Sequence, residues 1–470
     1  MFATDAFHQA LTGTGHRAGL EHLGFPGGIA ASVSDWMTTK ALRRGESLTD
    51  RSSQRSALQT SAASRPHVLM IVENLPVPFD RRVWHEATTL RANGFDVSII
   101  CPTTPGYEER FEEIEGIRIH RHPLPLEARG ALGYAAEYGA AFFWQTVLAW
   151  RIWLRSRFDV VHACNPPDTI FLVAGVFKLL FGTRFVFDHH DLNPELFDAK
   201  FGRRGLLYRL VVLLERLTFR LADISIATNE SYRRIAIERG GMDPARVFVV
   251  RSGPKLERMR IMPPVEARRM GRRFLIGYVG VMGRQEGLHY LLEAARHIVH
   301  DLGREDVHFG LVGSGPELEA LKAQAQELGV ADYVTFAGRV PDQDLLEILN
   351  TADVCVNSDE FNAMNDKSTM NKIMEYMALA KPIVQFDLTE GRFTAQDASL
   401  YARPNDPIDL ARKILELLDD PERRERMGQA GRRRLVEALT WEHEEAKLLA
   451  AYRSLSLEGD RGAETSASRA

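Results

Sequence analysis

The sequence predicts an α/β protein of two facing, doubly wound domains with mostly parallel sheets. Three observations carry this: the chain's length, two series of short apolar runs alternating with helical stretches, and glycine-rich turns where runs pass into helices. At 470 residues the chain exceeds one compact core and suits two domains with tails. Hydrophobic residues make up 45% and charged residues 26%, the balance of a folded chain and not of a disordered or fibrous one. The net charge of −4 supplies no positive field of the kind that nucleic-acid binding needs.

Residues 1–64 mix Gly, Ser, Thr, Ala and Arg without a sustained period and read as a flexible extension; residues 458–470 repeat that composition and read as a disordered tail. The opening residues lack a continuous apolar core behind a basic start, so no cleavable leader is expected, and the cytoplasm is the expected location. Leu132–Leu154 is the most apolar stretch, but Glu137, Gln145 and Arg151 interrupt it where a membrane span would lie in hydrocarbon. Cys101, Cys164 and Cys355 stand far apart beside apolar runs, which fits reduced thiols.

The first domain, expected at 65–255, opens with the run from His67, then a helix from about Asp80 to Asn93, a stop at Gly94 and a strand over Asp96–Cys101. Further strands are expected at Asp159–Ala163, Arg184–Phe187, Ile224–Thr228 and Val247–Val250. After the Pro263-Pro264 hinge a second domain, 256–438, shows runs at Phe274–Val279, His308–Val312, Val334–Phe336, Val354–Val356 and Ile383–Phe386. Helices are expected at Pro421–Ala438 and Trp441–Ser454, and the segment 439–457 is expected to cross back onto the first domain. In such sheets ligands bind beyond the carboxyl ends of the strands, which puts the site in the cleft between the two.

Four segments carry polar chemistry at such strand ends. Gly313-Ser314-Gly315 sits where a strand turns into a helix, so its amides can meet a phosphate or ribose; a plain tight turn fits equally well, and Leu318 breaks the dinucleotide fingerprint. Gly277 to Gly287 forms a second glycine-rich loop with Arg284 as its permanent cation, suited to clamping a diphosphate. In Asp366 to Val384, Ser368 or Thr369 is expected to cap a helix whose free N–H groups meet an anion, with Glu375 about two turns in and placed for ribose hydroxyls. The competing reading is an exposed amphipathic face bearing Lys367, Lys372 and Glu375. Asp342-Gln-Asp344 imitates a metal-binding pair but precedes an apolar helix and reads as a cap.

Glu375 with Lys381-Pro382-Ile383-Val384 resembles the donor-site signature of the retaining, GT-B-fold glycosyltransferases of family 4, and the likeness runs from about His67 to about Tyr452. That family has two glutamates eight apart; here the first position holds Lys367, and the diphosphate loop has Val281 and Glu286 where an arginine and a lysine are usual. The runs His162 to Asp168, Phe187 to Glu195 and Thr228 to Ser231 resemble a bacterial subgroup that builds lipid-linked surface polysaccharides. The resemblance implies two facing Rossmann-like domains and a nucleotide-diphosphate sugar as co-substrate, with no other cofactor and no metal. It implies donor contacts at Glu375, Lys367, Asn371, Thr369, Met370, Gly313, Ser314, Gly315 and Val340, with Arg284 standing in at the diphosphate. His190 and Asp191 are candidates to orient the acceptor hydroxyl or take its proton, or else bond loop backbone; Glu73, Arg81, Arg82, Cys164 and Asn165 lie on the acceptor side.

A basic, apolar stretch from Lys200 to Leu221, with Arg203, Arg204, Arg209, Arg216 and Arg220 against the single acid Glu215, suits an anionic membrane surface and a polyprenyl-diphosphate-linked acceptor, or an ordinary packing helix. Two other classes share these features: an epimerase or hydrolase of the same two-domain fold, and a catalytically silent scaffold.

Overall fold

The computed structural model describes residues 65–123, 130–202 and 204–457; the expected extension, the expected tail and Arg203 lie outside them. The first sheet comprises β1 (His67–Ile71), β2 (Asp96–Pro102), β3 (Phe111–Ile114), β4 (Ile117–His122), β5 (Val160–Cys164), β6 (Arg184–His189), β7 (Ile224–Ala227) and β8 (Val247–Val249). The second comprises β9 (Phe274–Val279), β10 (Val307–Val312), β11 (Val334–Gly338), β12 (Val354–Asn357), β13 (Ile383–Phe386) and β14 (Ser399–Ala402). Their orders are β3-β4-β2-β1-β5-β6-β7-β8 and β11-β10-β9-β12-β13-β14. Every pairing is parallel except β3 with β4.

The central strands β1, β5, β9 and β10 are buried along their whole length or nearly so, as expected of strands covered by helices on both faces. The hairpin β3–β4 and the edge strand β14 are not among the runs read from the sequence. Phe111-Glu112-Glu113-Ile114 alternates exposed and half-buried, so it lacks the continuous apolar signature. Glu115 and Gly116, both at positive φ, form the two-residue connection that lets this hairpin close.

The lobes are joined twice. The chain leaves the first sheet after β8 and returns through the helix Trp441–Arg453, whose Trp441, Leu448, Ala451 and Tyr452 enter the same core as Val68, Val97 and Val160. The two crossings run against each other: a Cβ on Gly253 would meet the carbonyl oxygen of Leu439 at 2.4 Å, so only glycine permits this approach. Trp441 Nε1 donates to Thr89 Oγ1 at 3.0 Å, and Thr89 Oγ1 donates onward to Glu445 Oε1 at 2.8 Å. Tyr452 lays its ring edge-on against Phe95. Trp441→Ala should therefore destabilise the protein by about 3–5 kcal/mol, read as a lower urea midpoint, and Trp441→Phe should recover most of the packing while losing the Thr89 bond.

Candidate active site

The carboxyl ends of β5 and β6 assemble a buried polar cluster. His162 and Cys164 are two apart on β5 and so share a face, and Cys164 stands in register with Asp188 of β6. From the helix Arg81–Ala92, Arg82 and Glu86 share one face at the i, i+4 spacing and reach the same place. Arg82 grips Asp188 as a fork, Nη2 to Oδ1 at 2.8 Å and Nε to Oδ2 at 3.1 Å, and Nη1 donates to Val250 O at 2.8 Å and Ser252 Oγ at 3.2 Å. His190 Nε2 donates a short hydrogen bond to Asp188 Oδ2, with Arg82 Nε 3.0 Å away over the same carboxylate. His162 lies beneath, its Nδ1 2.8 Å from Tyr452 Oη and its Nε2 3.5 Å from both Glu86 and Asp188.

Burial opposes ionisation of Asp188, but Arg82, His190 and His162 outweigh it and hold its carboxyl well below the usual range. Burial pushes Glu86 well above the usual range, and the Asp188 charge beside it adds to the shift. Burial also lowers His162 despite its carboxylate neighbours. The environment thus drives the two carboxyls apart, Asp188 toward the anion held by Arg82 and Glu86 toward the neutral acid. The ligand atoms of His162, Cys164 and Asp188 lie within 4.8 Å of one another, a convergence the sequence does not reveal. Arg82 already takes both Asp188 oxygens, and burial keeps the Cys164 thiol protonated, so the positive charge here is the arginine's.

Asn165 shapes the turn beyond β6: its Oδ1 accepts the amides of His190 at 2.7 Å and Asp191 at 3.1 Å, and its Nδ2 donates to Asp191 O and Asp168 Oδ1. His190 and Asp191 are thus presented half-buried at the cleft edge. Their neighbour His189 turns the other way, among the rings of Phe187, Phe219 and Tyr232. Glu73, beyond β1, is buried and accepts from Gln145 Nε2 at 3.2 Å, which ties it to the helix Gly130–Arg155.

On the second lobe the helix Asn371–Ala378 begins after Met370 with no side-chain cap. This corrects the expected capping: Ser368 Oγ donates to Met364 O, and Thr369 Oγ1 accepts from Asn229 Nδ2 at 3.0 Å and Arg251 Nη1 at 3.3 Å. A local carbonyl takes the Ser368 hydroxyl and across-lobe donors take that of Thr369, so the amides of the first helical turn lack a side-chain cap. Glu375 is 20% exposed and stands between Arg258 Nη1 at 3.4 Å and Arg81 Nη1 of the other lobe at 3.6 Å. Lys372 does not sit on a solvated face: it is buried between Glu286 Oε2 at 3.0 Å and Asp359 Oδ1 at 2.9 Å, over the Tyr278 ring. The cation that the diphosphate loop lacks at Glu286 thus comes to it from the helix. Burial pushes Asp359 up to about 8, with Lys372 pulling it down and Glu286 adding to the rise.

Gly313-Ser314-Gly315 is packed against the other glycine loop. Gly280 N donates to Val312 O and Met282 N to Ser314 O, and a Cβ on Gly313 would meet Gly280 O at 1.8 Å. The amides of Gly313 and Glu317 are likewise engaged, by Gly338 O and Met282 O. These glycines serve close loop packing first, which holds Arg284 exposed on the turn Arg284–Glu286; among the described residues its guanidinium has no hydrogen bond or ion pair. Asp342 and Asp344 do not cap their helix either; Arg258 forks onto Asp342 at 2.8 Å to each oxygen, and Arg268 holds Asp344. Val340 is half-buried against the second lobe's core, and the Lys367 ammonium bonds Ala363 O.

The lobes meet through Thr228 to Ser231. Asn229 Oδ1 caps the helix Glu230–Glu238 while its Nδ2 donates to Lys367 O at 2.8 Å, and Ser231 Oγ donates to Glu390 Oε1 at 2.7 Å. Arg81, Arg82, Asn165, Cys164, His190 and Asp191 are gathered on one side, and Lys367, Thr369, Met370, Asn371, Glu375 and Arg284 on the other. The sequence places Glu86 with Arg81 and Arg82 on the acceptor-facing connection, but sequence reasoning gave no role to Asp188, His162, Tyr452, Arg251 and Arg258; the signal for Asp188 was its i, i+2 placement with His190.

The proton on Glu86 has a measurable consequence. A carboxyl raised by folding contributes stability that is full below its unfolded value of 4.5 and is lost as pH rises through the folded value. Glu86→Gln keeps the shape without the titration, so the variant should gain on wild type steadily as pH rises above 4.5, followed by urea unfolding across pH. A constant difference would mean that Glu86 is ionised in the folded protein.

Comparison with known proteins agrees with the two-lobe fold. The description "Glycosyl transferase 4-like domain" matches residues 80–253, and "Glycosyl transferases group 1" matches residues 273–420. The 2-deoxystreptamine glucosyltransferase of Streptomyces kanamyceticus is 26% identical over 354 residues, 72% of this chain and 88% of that one. A sucrose-phosphate synthase from Thermosynechococcus elongatus superposes with a TM-score of 0.65 at 20% identity, covering 84% of this chain and 100% of its own. Anabaena HepE superposes with a TM-score of 0.63 at 14% identity, covering 83% and 99%. The chain belongs to the GT-B glycosyltransferases, with a glycosyl transferase 4-like domain ahead of a group 1 domain.

Proposed function

We propose that the enzyme is a retaining transferase that moves a sugar from a nucleotide-diphosphate sugar to a saccharide acceptor carried on a polyprenyl diphosphate, in surface polysaccharide synthesis. The observation that carries the donor half is the uncapped helix Asn371–Ala378 with Glu375 on its cleft side and Arg284 exposed on the neighbouring turn. Free amides at a helix start suit the departing diphosphate, Arg284 adds a bidentate cation, and Glu375 accepts from ribose hydroxyls. HepE, of the same fold, was solved with UDP-glucose, which supports this class of donor. Positioning and charge stabilisation then supply the rate without a metal.

On the acceptor side, Asp188 and Arg82 engage His190 Nε2, which leaves Nδ1 as the ring nitrogen to meet an acceptor hydroxyl. The membrane half of the reading rests on one face of the first lobe. Leu206, Leu207, Leu210, Leu213 and Leu217 of the helix Leu206–Leu221 are exposed by 38% to 83%, and the exposed Arg209, Arg216 and Arg220 run along one flank. Glu215, the one acid of that stretch, is turned inward at 0% exposure with Arg239, so the outer face is purely basic. The helix Phe171–Phe181 continues the apolar surface with Leu179 and Leu180, and Lys178 Nζ bonds Leu221 O to hold the two together. Among the described residues no helix is long and apolar enough to cross a membrane, so this face would lie on the surface.

Two outcomes are expected. Glu375→Ala should weaken binding of UDP or GDP by roughly 1.5–3 kcal/mol in calorimetry, and unchanged affinity in a folded variant would overturn the donor site. Wild type should co-sediment with anionic vesicles in a salt-sensitive way, each surface arginine contributing about 1 kcal/mol, and the triple variant Arg209→Glu, Arg216→Glu, Arg220→Glu should stay in solution. Equal sedimentation would refute this face.

A further inference from the structure

The first lobe holds a second cavity, of about 350 Å³, away from the Asp188 cluster. It lies between the β3–β4 hairpin and the helix Gly130–Arg155, lined among others by Arg110, His120, His122, Trp144, Arg151 and Arg155, and, among the described residues, by no acidic side chain. Arg110, Arg151 and Arg155 are exposed at its margin. Arg121 also borders it, but its guanidinium is spent on Val77 O, Glu109 O and Glu112. Among the described residues the other three guanidinium groups have no acidic partner, and an anion among them would relieve their mutual repulsion.

A recessed polar atom gives the second, independent observation. His122 is 0% exposed, and its Nε2 has no hydrogen-bond partner among the described residues. Its Nδ1 stands 3.2 Å from Pro123 O. A carbonyl only accepts, so Nδ1 carries the ring proton and Nε2 offers a lone pair. Burial pushes His122 down to about 4, so the ring is neutral at physiological pH. Nε2 therefore needs a donor, and the dianion of a phosphate monoester has none of its own to give. The described side chains that line the cavity around this ring are cationic or neutral: His120 on its own strand, Arg110 and Phe111 from the hairpin, and Trp144, Arg151 and Arg155 from the helix.

We propose that this cavity binds a phosphate that bears nearby hydroxyl groups, of the glycerol-phosphate or sugar-phosphate kind. The three arginines take the phosphate at the margin, and a ligand hydroxyl donates to His122 Nε2 inside. The volume admits a ligand of this size. The same helix exposes Phe143, Val147 and Leu154, so the phosphate can arrive either free or as the head group of an anionic lipid. The site is independent of the donor reading above.

The test uses the full chain with glycerol 3-phosphate and methyl phosphate in calorimetry, and vesicles carrying phosphatidylglycerol or phosphatidylmethanol at equal mole fraction. Phosphatidylglycerol has head-group hydroxyls, and phosphatidylmethanol has no head-group donor at equal net charge. A free-ligand site binds glycerol 3-phosphate about tenfold or more tightly than methyl phosphate. A head-group site instead prefers phosphatidylglycerol vesicles over phosphatidylmethanol ones. In either case Arg151→Ala with Arg155→Ala weakens binding about tenfold or more while leaving the thermal midpoint in place, because both side chains are exposed. The bound ligand also moves the His122 ring-nitrogen resonances of the labelled wild-type protein. The proposal is overturned if neither soluble phosphate nor vesicle discriminates for hydroxyls, if nothing binds, or if the double variant binds as wild type does.

Discussion

Arg82 is the residue on which the first lobe and its cleft depend. One buried guanidinium reaches the helix that bears it through Glu86, the end of β6 through Asp188, the catalytic candidate His190, and the crossing segment through Val250 O and Ser252. A planar fork with five donors is the side chain that can satisfy so many acceptors from one point, and a lysine could not reproduce that geometry. Two buried carboxylates beside one arginine would leave an uncompensated charge in a low-dielectric interior, and the environment answers by pushing Glu86 toward its neutral form while Arg82 holds Asp188 as the anion.

The final helix closes the same cluster from below. Tyr452 bonds His162, which faces Glu86 and Asp188, so the far end of the chain sets the floor of a site whose walls were built hundreds of residues earlier. The spacing between the lobes rests on equally few groups. Asn229 uses its oxygen as a helix cap and its amide to hold Lys367 O and Thr369, so the same side chain that starts one helix leaves the other without a cap. Arg81 against Glu375 then spans the cleft, an ion pair half-exposed enough to yield to a ligand.

Local reasoning failed where a side chain had two suitors. Ser368 or Thr369 was expected to cap one helix and the Asp342–Asp344 pair another, but a nearby carbonyl, an asparagine and distant arginines claim these side chains, and the two aspartates lie inside the first turn of their helix. A cap competes at about 1 kcal/mol, and charge-assisted pairs from another segment exceed it. Lys372 was open to reading as a surface charge because its acids, Glu286 and Asp359, are remote in sequence.

What the sequence determined by itself was periodicity and local backbone chemistry: the buried strands from His67 onward, the helices between them, and the family signature around Glu375 and Lys381-Pro382. Each depends on residues within a few positions of one another. The tertiary structure alone decided which polar groups share a site, which glycines serve packing, and which carboxyl of the Glu86–Asp188 pair stays protonated. Those outcomes depend on burial and on charges carried by distant segments, and neither is a property of any short stretch of chain.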